Sequence, residues 1–320
     1  MAVFQAPSLH DIRSAAARIA AHARITPVLH SPELDARAGA ALHFKCEHLQ
    51  VGGAFKFRGA CNAVWSLGEE EARRGVVTHS SGNHGAALAL AARTRKIPAH
   101  IVVPEGAVAA KLANIERAGG ILHRCAPTQA AREDACATVQ RETGATLVHP
   151  YADARVIAGQ GTIVPELLQQ VPDLDTVIVP VGGGGLASGC AIALAALSPS
   201  ARLIGAEPAG ADDAFQSLQR GERVTDVVPH TICDGLRATI GEPNFALLSA
   251  HRVEVISVDD DATLAAMRLV WAELKQTIEP SSAVVLAALL AQRERFAGQR
   301  IGLVLSGGNV DLDALPFIRQ

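Results

Sequence analysis

The stretch "VPVGGGGLASG", residues 179–189, runs from a β-branched segment through four consecutive glycines into an apolar, alanine-rich segment. It reads as a buried strand ending at Val181, a turn, and a helix beginning near Leu186. A flexible turn alone would not need four glycines. Without a Cβ, Gly182, Gly183, Gly184 and Gly185 let backbone N–H groups converge, and the helix dipole adds partial positive charge. Together these features predict a phosphate cradle.

Working outward, this strand–turn–helix unit recurs along the chain. β-Branched runs predict strands over 41–47, 75–79, 99–103, 120–124, 146–149, 175–181, 202–207, 252–258 and 300–306. Helices are predicted over 8–24, 57–67, 84–95, 107–118, 128–142, 155–170, 186–197, 259–275 and 281–294. Ser8 with Asp11 forms a capping-box pattern, and Asp259 is placed to cap the helix after it. The alternation predicts an α/β fold of open, mostly parallel sheets with helices on both faces. No repeat, low-complexity linker or charge block marks a domain boundary.

Composition narrows the function. Of 320 residues, 49% are apolar and 19% charged, as in a soluble globular chain. A net charge of −3 argues against a nucleic-acid binder. The N-terminal segment has the pattern of neither a signal nor a transit peptide, and no run is long enough for a membrane span. The six cysteines are scattered without a Cys-x-x-Cys pair, so neither a disulfide framework nor a zinc motif is expected, and a reducing cytoplasm is the default.

Two more junctions resemble the first. "THSSGNHGAALALAAR" (78–93) sets Ser80, Ser81, Asn83 and His84 at a helix N-terminus, where a carboxylate binds well. "VLSGGNVDLD" (304–313) ends a strand at Ser306, facing a Gly-Gly turn. A fourth stretch, "QVGGAFKFRGACNAV" (50–64), places Lys56 between Phe55 and Phe57 just after Gly52 and Gly53. The chain has only five lysines, and apolar flanks lower an amine's pKa and favour the neutral nucleophile. A nicotinamide oxidoreductase would use Gly182, Gly184 and Ala187 as a loose G-x-G-x-x-A, with Glu207 as the ribose acid. That reading leaves Lys56 and the other junctions without work. A pyridoxal phosphate (PLP) enzyme needs an amine for the cofactor aldehyde, a phosphate cradle and a partner for the ring nitrogen. Lys56, the glycine run and Ser306 supply all three. A non-catalytic binding protein on the same fold is the third alternative.

"GGAFKFRGA", "SSGNHG", "GGGGL" and "SGGN" together resemble the fold-type II PLP enzymes, and within them the serine racemase and serine–threonine dehydratase group, which includes 3-hydroxyaspartate dehydratases. "HPYADARVIAGQGTI", "GAEPAGADDAFQS", "TICDGLRATIGE" and "IEPSSAV" extend the resemblance over nearly the whole chain. It implies a tryptophan synthase β-like fold with a large domain (1–72 and 153–320) and a small mobile domain (73–152). By resemblance, Lys56 carries the cofactor and is the base on its si face, and Ser81 is the opposing acid/base. Phe55 packs on the ring, Asn83 holds the phenolic oxygen, and Ser306 meets the ring nitrogen. Gly182 to Gly185, with Leu186 after them, hold the phosphate. Ser80, Ser81, Asn83 and His84 take the substrate carboxylate. Glu207, the Ala211 carbonyl and Asp213 match a divalent-cation site for Mg²⁺, Ca²⁺ or Mn²⁺. The implied protein is a cytoplasmic homodimer that dehydrates a β-hydroxy amino acid (3-hydroxyaspartate, serine or threonine) to a 2-oxo acid and ammonia, with serine or aspartate racemisation as the alternative. Two departures reshape the substrate side: Ala118 stands where many relatives have Tyr, and Tyr151 where serine racemases often have Asn. Arg132 and Arg237 are candidates for a second substrate carboxylate.

Overall fold

The β-branched runs become strands, and their register explains why distant motifs meet. The computed structural model describes residues 4–311 and Leu315. Its strands are β1 (Val28–Leu29), β2 (Ala41–Lys45), β3 (Val76–His79), β4 (Ala99–Pro104), β5 (Ile121–Cys125), β6 (Thr146–Leu147), β7 (Thr176–Pro180), β8 (Arg202–Pro208), β9 (Glu254–Val258) and β10 (Arg300–Val304). Six form one sheet in the order β1-β2-β10-β7-β8-β9, and four form another in the order β5-β4-β3-β6. All pairings are parallel except β1 with β2. β2, β10 and β7 are neighbours. The three segments that follow them, carrying Lys56, Ser306 and the glycine run, therefore emerge at one edge, where parallel sheets collect ligands.

Apolar layers cover both faces of the larger sheet. One contains Val284, Val285 and Leu289 of the helix Pro280–Ala291, and the other Ala187, Cys190 and Leu194 of the helix Gly185–Leu197. In the smaller sheet Ile101 faces the helix Asn83–Arg95, while Val102 packs with Cys136 and Val139 of the helix Gln129–Thr143. No helix among the described residues is long and apolar enough to cross a membrane.

Several elements differ from the sequence expectation. The helix expected over 155–170 is two, Ala154–Gly161 and Ile163–Gln170. Pro165 has no N–H to donate to the Gly161 carbonyl, so one helix cannot run through. The helix expected to reach residue 275 becomes a π-turn over Val270–Leu274 and stops at left-handed Lys275, φ 56°. Four short helices were not expected: Pro32–Ala38, Glu69–Arg74, Asp213–Arg220 and Glu242–Ala250. Ser8 and Asp11 form the capping box, and Asp259 accepts from the Ala262 N–H.

The helix that starts at Lys56, Lys56–Trp65, is held by close packing and by charge. Gly59 crosses the helix Ala154–Gly161 so tightly that a Cβ would lie 2.4 Å from Gln160 Nε2 and 2.8 Å from the Val156 carbonyl. Immediately before it, Arg58 is buried and donates to Glu47 (2.7 Å) and Glu166 (2.9 Å). Lys45 at the end of β2 reaches the same Glu166. Two cations thus match two carboxylates in a poorly hydrated space. Removing one partner leaves the others charged and buried, which costs about 3–5 kcal/mol. Arg58→Met is therefore expected to lower unfolding free energy by about that amount in urea denaturation; a loss below about 1 kcal/mol would mean the network is solvated.

Candidate active site

Gly52 and Gly53, both at φ 74°, turn the chain so that residues 53–55 lie beside 306–308. The Phe55 N–H donates to the Ser306 carbonyl at 2.9 Å, Gly308 N–H donates to Gly53, and Ala54 bridges Gly307. Phe57 points into the core, whereas Phe55 and Lys56 remain partly exposed at the cleft. Lys56 Nζ donates to the Pro150 carbonyl (3.1 Å) and lies 5.1 Å from the Phe55 ring centre. Desolvation pulls its pKa down to about 8, opposed by the charge of Glu279.

Ser306 and Ser282 hydroxyls lie 3.1 Å apart. Ser282 donates to the Gly307 carbonyl, so the Ser306 hydroxyl is the donor between them. Rotation about its Cβ–Oγ bond would free it for a ring nitrogen. Across β10, Gly184 adopts φ 88° as the N-cap of the helix Gly185–Leu197. Asn244 clamps this loop by donating to the carbonyls of Gly183 and Tyr151. The first N–H groups of the helix, including that of Leu186, have no intrahelical acceptor and meet the cradle. The Tyr151 ring lies against Gly183, where a Cβ would come within 2.4 Å of it.

From the other sheet, "SSGNHG" follows β3. Ser80 and Ser81 are partly exposed at the turn, and a Cβ at Gly85 would strike the Ser80 carbonyl at 2.1 Å. Asn83 donates to Glu279 (3.0 Å) and accepts from Asn309 (2.9 Å), linking this turn to the segment after β10. His84 turns its Nε2 to the Val148 carbonyl at 3.2 Å and leaves Nδ1 buried without a partner. Burial, then the nearby Lys56 charge, holds its pKa well below the usual value. A neutral imidazole donating to Val148 has only a lone pair left. A carboxylate at this turn would therefore meet the backbone N–H groups of Asn83 and His84.

Glu279 was not singled out in the sequence. It sits at the N-cap position of the helix Pro280–Ala291 with its carboxylate turned to Asn83 and the Asn309 N–H, and burial lifts its pKa to about 7. A lone Glu before Pro reads as a helix start, so only its contact with Asn83 reveals its place. The two candidate arginines separate. Arg237 donates through Nε and Nη2 to the Thr231 carbonyl of its own loop. Arg132, in the first turn of the helix Gln129–Thr143, has a buried Nε with no partner, and its charge bears on His79 at the end of β3.

Glu207 and Asp213 are both buried, at 0% and 3% exposure, and Ala211 lies between them in a short 3₁₀ turn. Glu207 accepts from the N–H groups of Ala214 and Phe215, and Asp213 accepts from Ile240. Burial, then the charge of Asp213, pushes Glu207 well above the ordinary carboxylate range, and burial lifts Asp213 to about 6. Two buried acids, of which Asp213 raises Glu207, fit a cation between them. Among the described residues, no group of three or more His, Cys, Asp and Glu could hold a metal ion, so a carbonyl ligand would be needed here.

A desolvated amine, a glycine cradle at a helix N-terminus and a serine hydroxyl converge at one sheet edge, and they fit PLP. These residues suit a protein that binds PLP. The chain belongs to the family "Pyridoxal-phosphate dependent enzyme", whose model matches residues 19–307. It is 46% identical to the beta-hydroxyaspartate dehydratase of Paracoccus denitrificans (97% of this chain, 99% of that one). It is 48% identical to the serine racemase of Arabidopsis thaliana (97% and 95%). Among solved structures it superposes on maize serine racemase with a TM-score of 0.95 at 47% identity, covering 97% of this chain and 96% of that one.

Because Lys56 is held at about 8, uptake of PLP by cofactor-free protein is expected to rise with pH and level off just above 8, followed by absorbance. An ordinary lysine would still be gaining rate near pH ~10.

Proposed function

We propose that the protein is a dehydratase of β-hydroxy amino acids, giving a 2-oxo acid and ammonia, with 3-hydroxyaspartate as the leading substrate and serine or threonine as the others. PLP, when bound, supplies the electron sink that acidifies the Cα–H of the amino acid. Lys56 Nζ holds the cofactor aldehyde and takes the Cα proton, a role favoured by its lowered pKa. Phe55 would lie against the ring, Ser306 would meet its nitrogen, and Asn83, released from Glu279, would reach its phenolic oxygen. Gly182 to Gly185 and Leu186 hold the phosphate. Ser80, Ser81 and the N–H groups of Asn83 and His84 bind the α-carboxylate.

The observation that carries the substrate reading is Arg132, whose buried Nε has no partner while Arg237 is engaged by Thr231. A distal carboxylate needs such a cation, and a hydrogen bond to a charged group contributes about 1.5–3 kcal/mol. Tyr151 borders the same side. Ser81, as a second acid/base opposite Lys56, supports racemisation as a lesser activity, and the serine racemase relatives favour that second reading. Residues 73–152 form a small domain that closes over the substrate and excludes water. The protein works as a cytoplasmic homodimer.

The deciding experiment assays 3-hydroxyaspartate stereoisomers, serine and threonine for 2-oxo acid, ammonia and inverted amino acid. Arg132→Ala is expected to lower kcat/KM for hydroxyaspartate about 10–100-fold and serine turnover by less than about 3-fold. Equal small losses on all substrates would leave a general serine/threonine dehydratase.

Glu207, the Ala211 carbonyl and Asp213 are proposed to hold a divalent cation that braces the fold beside the cofactor loop. Chelation is expected to lower melting temperature and activity together, and Asp213→Ala to do the same without chelator. Unchanged melting and activity after chelation would remove the cation from the account.

A further inference from the structure

At the opposite end of β10 from Ser306, an open cleft of about 530 Å³ lies between the edge strand β1, the start of β10 and the end of the helix Ile163–Gln170. It sits roughly 20 Å along the sheet from the cofactor edge, given ~3.3 Å of rise per strand residue. Three basic side chains border it: His30, His43 and Arg300. The charges of Arg300, Asp35 and His30 all bear on His43, so the basic groups are close to one another with one carboxylate beside them. None of their side chains makes a hydrogen bond or ion pair among the described residues.

Their position follows from the sheet. His43 points outward from β2 between buried Leu42 and Phe44, and it pairs in register with Gly302, a residue without a side chain to cover it. Val28 and Leu29, on the antiparallel edge strand, and Val171 and Pro172, beyond the helix, give the cleft apolar walls. The nearby carboxylates are tied to backbone: Asp35 Oδ1 accepts from the Leu42 N–H, and Asp175 Oδ2 accepts from the Arg300 N–H. Gln170, also on the wall, is engaged by Lys45 and donates to the Thr26 carbonyl.

A permanent guanidinium beside two imidazoles, each able to donate at least one N–H, is a cluster rich in donors, with the Asp35 carboxylate beside it held by the Leu42 N–H. Oxyanions satisfy it by charge-assisted hydrogen bonds. The apolar walls suit a hydrocarbon body behind that anion. We propose that this cleft binds a small organic oxyanion, a phosphate or carboxylate on an apolar body, separately from the cofactor site. Burial, then the Arg300 charge, holds His43 below the usual imidazole value; an anion bound beside it favours its protonated form, so affinity rises as pH falls.

The test titrates holoenzyme by calorimetry at low salt with phenyl phosphate and, in a parallel arm, benzoate. One site per chain is expected, with affinity increasing as pH falls below neutral. Tighter phenyl phosphate binding would point to phosphate esters as the natural class, and tighter benzoate binding to carboxylates. Arg300→Gln and His43→Asn are each expected to weaken binding at least about tenfold while melting temperature and the cofactor absorption band stay unchanged. Arg300 is exposed on the surface, so its variant tests the site even if His43→Asn folds poorly. Absence of binding by both probes up to about 10 mM, or equal binding by Arg300→Gln and the parent, would overturn the proposal.

Discussion

The short backbone pairing between residues 53–55 and 306–308 fixes the relation on which the site depends. It joins the segment after β2 to the segment after β10 through main-chain hydrogen bonds, so Lys56 and Ser306 are registered without reference to their side chains. A turn is needed to bring the chain back, and Gly52 and Gly53 at positive φ supply it without the strain a Cβ would add. Asn309 lies so close that a Cβ at Gly53 would come within 2.5 Å of its Oδ1. The amine, the hydroxyl and the glycine loop after β7 then follow from the strand order.

Around that frame, one cause acts on two groups in opposite senses. Low hydration presses Lys56 down and Glu279 up, bringing an amine and a carboxyl towards each other in acidity. Asn83 stands between the turn after β3 and this carboxyl, so the smaller sheet is coupled to the same electrostatic environment.

The strands were legible because their β-branched runs are bounded by glycine, proline or charge. Val28–Leu29 was not, since two residues have no period. The break between residues 161 and 163 could have been read from Pro165, but the apolar pattern continues across it. The site's glycine junctions were visible because each combines a strand end, a flexible turn and a helix start. The division of labour between Arg132 and Arg237 was not. Both are polar residues near element ends, and only the Thr231 carbonyl distinguishes them in space. Glu279 was hidden by its ordinary position before a helix-starting proline.

The cluster of Lys45, Glu47, Arg58 and Glu166 bears on how this sequence can change over generations. Two positive and two negative groups balance, so losing any single one strands a charge, whereas replacing the whole set with well-packed apolar residues can be neutral or better. Neighbouring sequences one substitution away are therefore worse, and an equally good alternative lies several substitutions off. The helix that begins at Lys56 is thus anchored by a ratchet: every single-step route away from the anchor descends first.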